Sequence, residues 1–86
     1  MATNGNQKRQ ALDQRRIENF KRLAQSRVTN VIRTLRILGN LSNTSNYVYT
    51  EDQVGKIFAA LREELDLVER KFEAGARRAK EQPFKL

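Results

Sequence analysis

The chain contains no cysteine, no histidine and no tryptophan, and only one proline among 86 residues. Without cysteine there is no disulfide and no thiolate ligand. Without histidine, the usual general base and the commonest metal ligand are both missing. A single proline leaves long stretches that nothing interrupts, which suits a helical chain. No apolar run approaches the ~18 residues of a membrane span. No secretory apolar segment follows Met1. Glycine-rich phosphate loops, zinc spacings and nucleophile motifs do not occur. These absences argue against an enzyme, a cofactor or metal, and a membrane-embedded chain. The expectation is a soluble cytoplasmic protein with no cofactor.

Acid is scarce in the first half. Residues 1–43 hold nine Lys or Arg against Asp13 and Glu18, whereas residues 44–86 hold eight of each sign. The whole net charge of +7 therefore lies in the first half. Such asymmetry points to a polyanionic partner, nucleic acid above all, with an acidic protein as the other candidate. Solubility, with ion pairs to the second half, is the plainer reading of the same charge.

What is present is helical periodicity. Ile17, Phe20, Ala24, Val28, Val31, Leu35 and Leu38 are separated by three or four residues and fall on one face of a helix. Val54, Ile57, Phe58, Leu61, Leu65, Val68 and Phe72 form a second stripe, continued by Ala76 and Ala79. The pattern predicts an all-α fold: a disordered start over 1–7, a helix over about 8–38, a connection over 39–50 and a helix over about 51–80. Pro83 closes the pattern, and 81–86 form a tail carrying Phe84 and Leu86. Two long helices joined by a short polar segment predict an antiparallel hairpin. Leu35 and Leu38 would lie beside Val54 and Ile57, with Phe20 near Phe72. Steps of three and four read as heptads, the geometry of a left-handed coiled coil. Leu23, Ile32 and Leu67 fall outside the stripes. This surplus apolar surface suits a homodimer that completes a four-helix bundle, because two-helix units rarely stand alone.

The stretch from Gly39 to Gln53, GNLSNTSNYVYTEDQ, organises both halves. Gly39 follows the last periodic residue, where a positive-φ cap belongs, and Leu41 is placed to fold back on the final turn. Thr50 and Gln53 have capping-box spacing, and Glu51 and Asp52 put negative charge on the first turn. Tyr47, Val48 and Tyr49 are apolar for a loop, so one tyrosine is expected to pack over the hairpin end. Ser42 to Asn46 are five consecutive hydroxyl or amide residues. They suit a self-bonded turn above all, with contacts to phosphates or base edges as the alternative. Asn43-Thr44-Ser45 matches a glycosylation sequon, but no leader precedes it.

The candidate interface is on the first helix. Arg15, Arg22, Arg33 and Arg36 fall within roughly 60° of one another, opposite the apolar stripe. Asn19 and Ser26 lie near the same strip. Arginine outnumbers lysine seven to two in the first half, and guanidinium forks bind phosphate in a bidentate way. A second cationic group gathers Arg9 and Arg16 with Arg77 and Arg78 at the open end of a hairpin, together with Lys8, Arg15, Arg70, Lys71 and Lys80. Glu63, Glu64, Asp66, Glu69 and Glu73 form an acidic block, expected to pair with Arg22, Arg27 and Arg33. A basic helix running into an apolar repeat invites comparison with a basic zipper. The comparison fails because basic and apolar positions interleave and Gly39 ends the helix early.

The run LGNLSNTSNYVYTEDQVGKIFAALREEL, residues 38–65, resembles a pattern found in small bacterial helical proteins, some of them from plasmids, phages or genomic islands. The resemblance covers about a third of the chain and carries over no activity and no functional residues. It implies a bacterial or mobile-element origin. Two functions remain in view. One is a nucleic-acid-associated protein, binding DNA or RNA with little sequence preference. The other is a helical protein–protein module, an assembly adaptor or a small regulator. A basic amphipathic helix lying on an anionic membrane ranks last, because a hairpin consumes the apolar face it needs.

Overall fold

A computed structural model describes residues 3–80, with side chains from residue 10 onward. It is all-helical: α1 spans Thr3–Gly39, a short 3-10 turn spans Asn40–Ser42, and α2 spans Glu51–Lys80. The chain divides into two units near Tyr47 and Val48, one built on α1 and the other on α2. Pro83, Phe84 and Leu86 lie outside the described residues, as do the side chains of Lys8 and Arg9.

The first helix starts at Thr3, inside the segment read as a disordered start. No proline stands between Thr3 and Lys8, and extending an existing helix adds one hydrogen bond per residue fixed. At 37 residues the helix is about 55 Å long. Its β-branched middle is accommodated locally. The Thr29 hydroxyl donates to the Gln25 carbonyl at 2.7 Å, and the Thr34 hydroxyl donates to the Asn30 carbonyl at 2.9 Å. Each hydroxyl thus finds a partner on the preceding turn. Gln14 donates to Glu18 at 3.3 Å, one turn away.

The helix ends differently from expectation. Gly39 has φ −59° and ψ −27°, ordinary right-handed values, and no described glycine has positive φ. There is therefore no Schellman cap, and Leu41 stays half exposed. The chain instead tightens into the 3-10 turn, whose shorter-range bonds satisfy terminal carbonyls without a left-handed residue. Asn43 at φ −70°, ψ 103° then ends the helical path. Its backbone N–H donates to the Asn40 carbonyl at 3.4 Å. Its side-chain oxygen accepts the Ser45 N–H at 3.0 Å, and its carbonyl accepts the N–H groups of Asn46 and Tyr47 at 3.1 and 3.0 Å. Asn43 is thus the hub of the turn, in the local bonding that its short amide favours. Tyr47 and Tyr49 both remain exposed by more than a third.

The entry into α2 matches its expectation. The Gln53 side chain accepts the Thr50 N–H at 2.9 Å, and the Thr50 hydroxyl oxygen accepts the Gln53 N–H at 3.1 Å. The Val54 N–H closes the first helical bond to the Thr50 carbonyl at 3.1 Å. Asp52 pairs with Lys56 at 3.1 Å across the first turn. Replacing Thr50 with alanine orphans a helix N–H and is expected to cost about 1 kcal/mol, read as a lower urea midpoint at unchanged slope.

Placed on these helices, the stripes fit an eleven-residue spacing as well as a seven-residue one. Ile17, Phe20 and Ala24 recur as Val28, Val31 and Leu35; Val54, Ile57 and Leu61 recur as Leu65, Val68 and Phe72. Val54, Leu61 and Val68, like Phe58, Leu65 and Phe72, keep the seven-residue step of a left-handed coiled coil, while an eleven-residue period corresponds to about 3.67 residues per turn. Among the described side chains none is buried. Ala24, Leu38, Val54, Ala74 and Gly75 are intermediate, while Phe20, Leu65 and Phe72 are 59%, 67% and 60% exposed.

Candidate nucleic-acid interface

Helix geometry fixes the azimuth of every side chain on α1. Arg15, Arg22, Arg33 and Arg36 share the face opposite the stripe and are all exposed. From Arg15 to Arg36 the strip runs about 32 Å along the axis. Arg33 donates to the Asn30 side-chain oxygen at 3.5 Å, a contact at the limit of hydrogen-bond range. Arg36 stands in the last turn of α1, where a cation complements the helix dipole. None of these four guanidinium groups forms a salt bridge among the described residues. Their positive potential is therefore not cancelled by a neighbour within their own unit.

Arg16 is exposed and pairs with Asp13 at 3.4 Å on the adjacent turn. The pair is solvated and worth at most about 1 kcal/mol, so an anion can displace it. The side chain of Arg9 lies outside the described residues. Arg77 and Arg78 belong to α2, in its basic last turn with Lys80, and with Lys71 and Ala74 they line a shallow open hollow. The acidic residues Glu63, Glu64, Asp66, Glu69 and Glu73 are exposed on α2. Arg62 of the same helix sits 6.0 Å from the Phe58 ring centroid, a cation–π contact.

Leu23, Ile32 and Leu67 are 36%, 42% and 45% exposed. Isolated exposed apolar residues are ordinary on protein surfaces. Among the described residues there is no cluster of three or more metal-ligating side chains, and no helix is long and apolar enough to cross a membrane.

One cationic feature escaped the reading of the sequence. Arg16 and Arg27 stand eleven residues apart, as do Arg22 and Arg33, so α1 carries two parallel arginine ridges. The shared spacing was the signal. Arg27 also has the placement of an ion-pair partner for the acidic block, which hides its part in the ridge. Comparison of the chain with models of protein families, with curated proteins and with solved structures gives no match.

Proposed function

We propose that the protein binds the phosphate backbone of nucleic acid through the arginine face of α1. The observation that carries this reading is the separation of charge and apolar surface on one helix. Nine of the eleven charged residues of α1 are cations, and four arginines occupy the face opposite the stripe. Phosphate contacts of this kind neutralise charge without reading sequence, so affinity depends steeply on salt. The stripe remains available for helix pairing, which leaves the arginines facing solvent.

The fold that fits this function is the antiparallel hairpin. Ile17, Phe20, Ala24, Val28, Val31 and Leu35 advance by 3, 4, 4, 3 and 4 residues. Ala79, Ala76, Phe72, Val68, Leu65 and Leu61 retreat by the same steps. Pairing in that order sets Ala24 level with Phe72 and Leu35 level with Leu61, one turn from the register that sequence inspection suggested. A homodimer that buries Ile32 and Leu67 is the extension of this arrangement.

The test is fluorescence anisotropy with labelled duplex DNA, single-stranded DNA and structured RNA at low and near-physiological salt. Submicromolar binding with a steep salt slope is expected. Absence of binding at low salt would overturn the reading. The second reading, a helical protein–protein module, draws on the exposed apolar residues outside the stripes. Under that reading Ile32→Ser with Leu67→Ser lowers the mass found by light scattering or releases a co-purifying protein, and salt has little effect.

A further inference from the structure

The proposed phosphate contacts leave open whether α1 reads anything beyond charge. The arrangement of its exposed face bears on that question. Leu12, Asn19, Leu23, Asn30 and Ile37 fall on one line along the helix, within about 20° of Asn30 in azimuth. All five are exposed. Arg15, Arg22 and Arg33 stand about 60–80° to one side of this line, and Arg16 and Arg27 about 40–60° to the other. Asp13 and Glu18, the two acids of α1, both lie at least about 100° from it. The apolar stripe is centred about 120° away, so covering the stripe leaves the line open. A seam of amide and aliphatic groups thus runs between two arginine ridges.

From these positions we infer that α1 enters the major groove of duplex DNA along this seam. The inference rests on the nucleic-acid reading above and specifies its ligand. An α-helix is about 10–12 Å across, and the B-DNA major groove is about 12 Å wide. A helix seated there has phosphates of both strands beside it, which two ridges match and a single strip does not. The amides face the groove floor. Asn19 makes no side-chain hydrogen bond among the described residues, and Asn30 holds only the long contact from Arg33. An asparagine amide donates to and accepts from the major-groove edge of adenine, and aliphatic groups pack against the thymine methyl. Asn19 to Asn30 spans about 16 Å, roughly five base pairs at 3.4 Å each, short enough for a straight helix to stay in the groove.

The same geometry selects among ligands. The A-form major groove of double-stranded RNA is too deep and narrow for side chains to read. Single strands are held by stacking on aromatic residues, and neither the seam nor the two ridges contains one. The seam therefore favours duplex DNA, with a preference for A·T pairs.

The experiment uses the full chain and five probes: A·T-rich and G·C-rich 20-mer DNA duplexes, the A·T-rich strand alone, an RNA duplex, and the A·T-rich duplex with uracil in place of thymine. The A·T-rich duplex is expected to bind at least tenfold more tightly than the RNA duplex and severalfold more tightly than the G·C-rich or uracil duplex. Asn19→Ala with Asn30→Ala is expected to reduce the preference for A·T over G·C to the part carried by the thymine methyl while keeping the salt slope. Both positions are exposed on a helix, and circular dichroism verifies that the variant folds. Equal binding of the DNA and RNA duplexes, or a preference undiminished by the double substitution, would refute the seam and leave phosphate binding standing. Failure of every probe to bind at low salt would refute both.

Discussion

A variant with Arg15, Arg22, Arg33 and Arg36 all changed to glutamine is expected to lose duplex affinity by on the order of a thousandfold at 0.1 M salt. The figure follows from counterion release. Each phosphate neutralised contributes about 0.9 to the slope of log K against log salt, so four lost contacts reduce the slope by about 3.6. Curves that converge near 1 M salt then separate by more than three decades at 0.1 M. Glutamine matches arginine closely in helix propensity, so the helix survives and the loss reads as charge rather than unfolding. Arginine-to-lysine replacement at the same four positions separates charge from shape. Lysine keeps the charge and most of the slope but lacks the planar fork, so an intermediate affinity is expected. If the glutamine variant binds as the parent does, the arginine face is a solvated surface and the phosphate reading fails.

The features that were legible in the sequence are those decided by neighbours within one turn. Thr50 and Gln53 bond reciprocally at the spacing that announces them, because both partners sit on one helical turn. The arginine face was equally legible, since a regular helix converts residue number directly into azimuth. The end of α1 was not. A left-handed cap at Gly39 and a 3-10 turn both satisfy terminal carbonyls. The choice between them rests on Asn43, whose amide and carbonyl gather three N–H groups two to four positions on. The start of α1 escaped for a related reason. Asn4, Gly5 and Asn6 are poor helix formers, yet they continue a helix nucleated downstream. The repeat length stays ambiguous in the sequence, because steps of three and four belong to both seven- and eleven-residue patterns. What the charged face binds is not encoded in any short-range bond, so it must come from measurement.

The proposed hairpin, in which the two stripes cover each other, gives the other large effect. Neither stripe is buried within its own unit, and α2 alone presents two phenylalanines and three leucines or isoleucines along one face. Burying each such side chain is worth about 1.5–3 kcal/mol, and in proteins most helical stability comes from packing an amphipathic face. The matched step order sets Val28 level with Val68 in the proposed hairpin. It also puts Arg27 and Arg33 at the levels of Glu69 and Glu63, so charge favours the same alignment. The parent chain has no cysteine, so Val28→Cys with Val68→Cys introduces a single possible disulfide within one chain. Facing positions in a helix pair come within the separation a disulfide requires. Mild oxidation is expected to give a cross-linked monomer on a non-reducing gel. The closed loop of about 40 residues should add about 4 kcal/mol of stability. Ser26→Cys with Val68→Cys is the control, because Ser26 lies on the far face of α1 and should not cross-link. A disulfide between two chains would mean that the stripes are covered by a second copy, with α1 of one chain on α2 of the other. No disulfide of either kind would overturn the register, and the arginine face would then have to be presented by helices paired in another way.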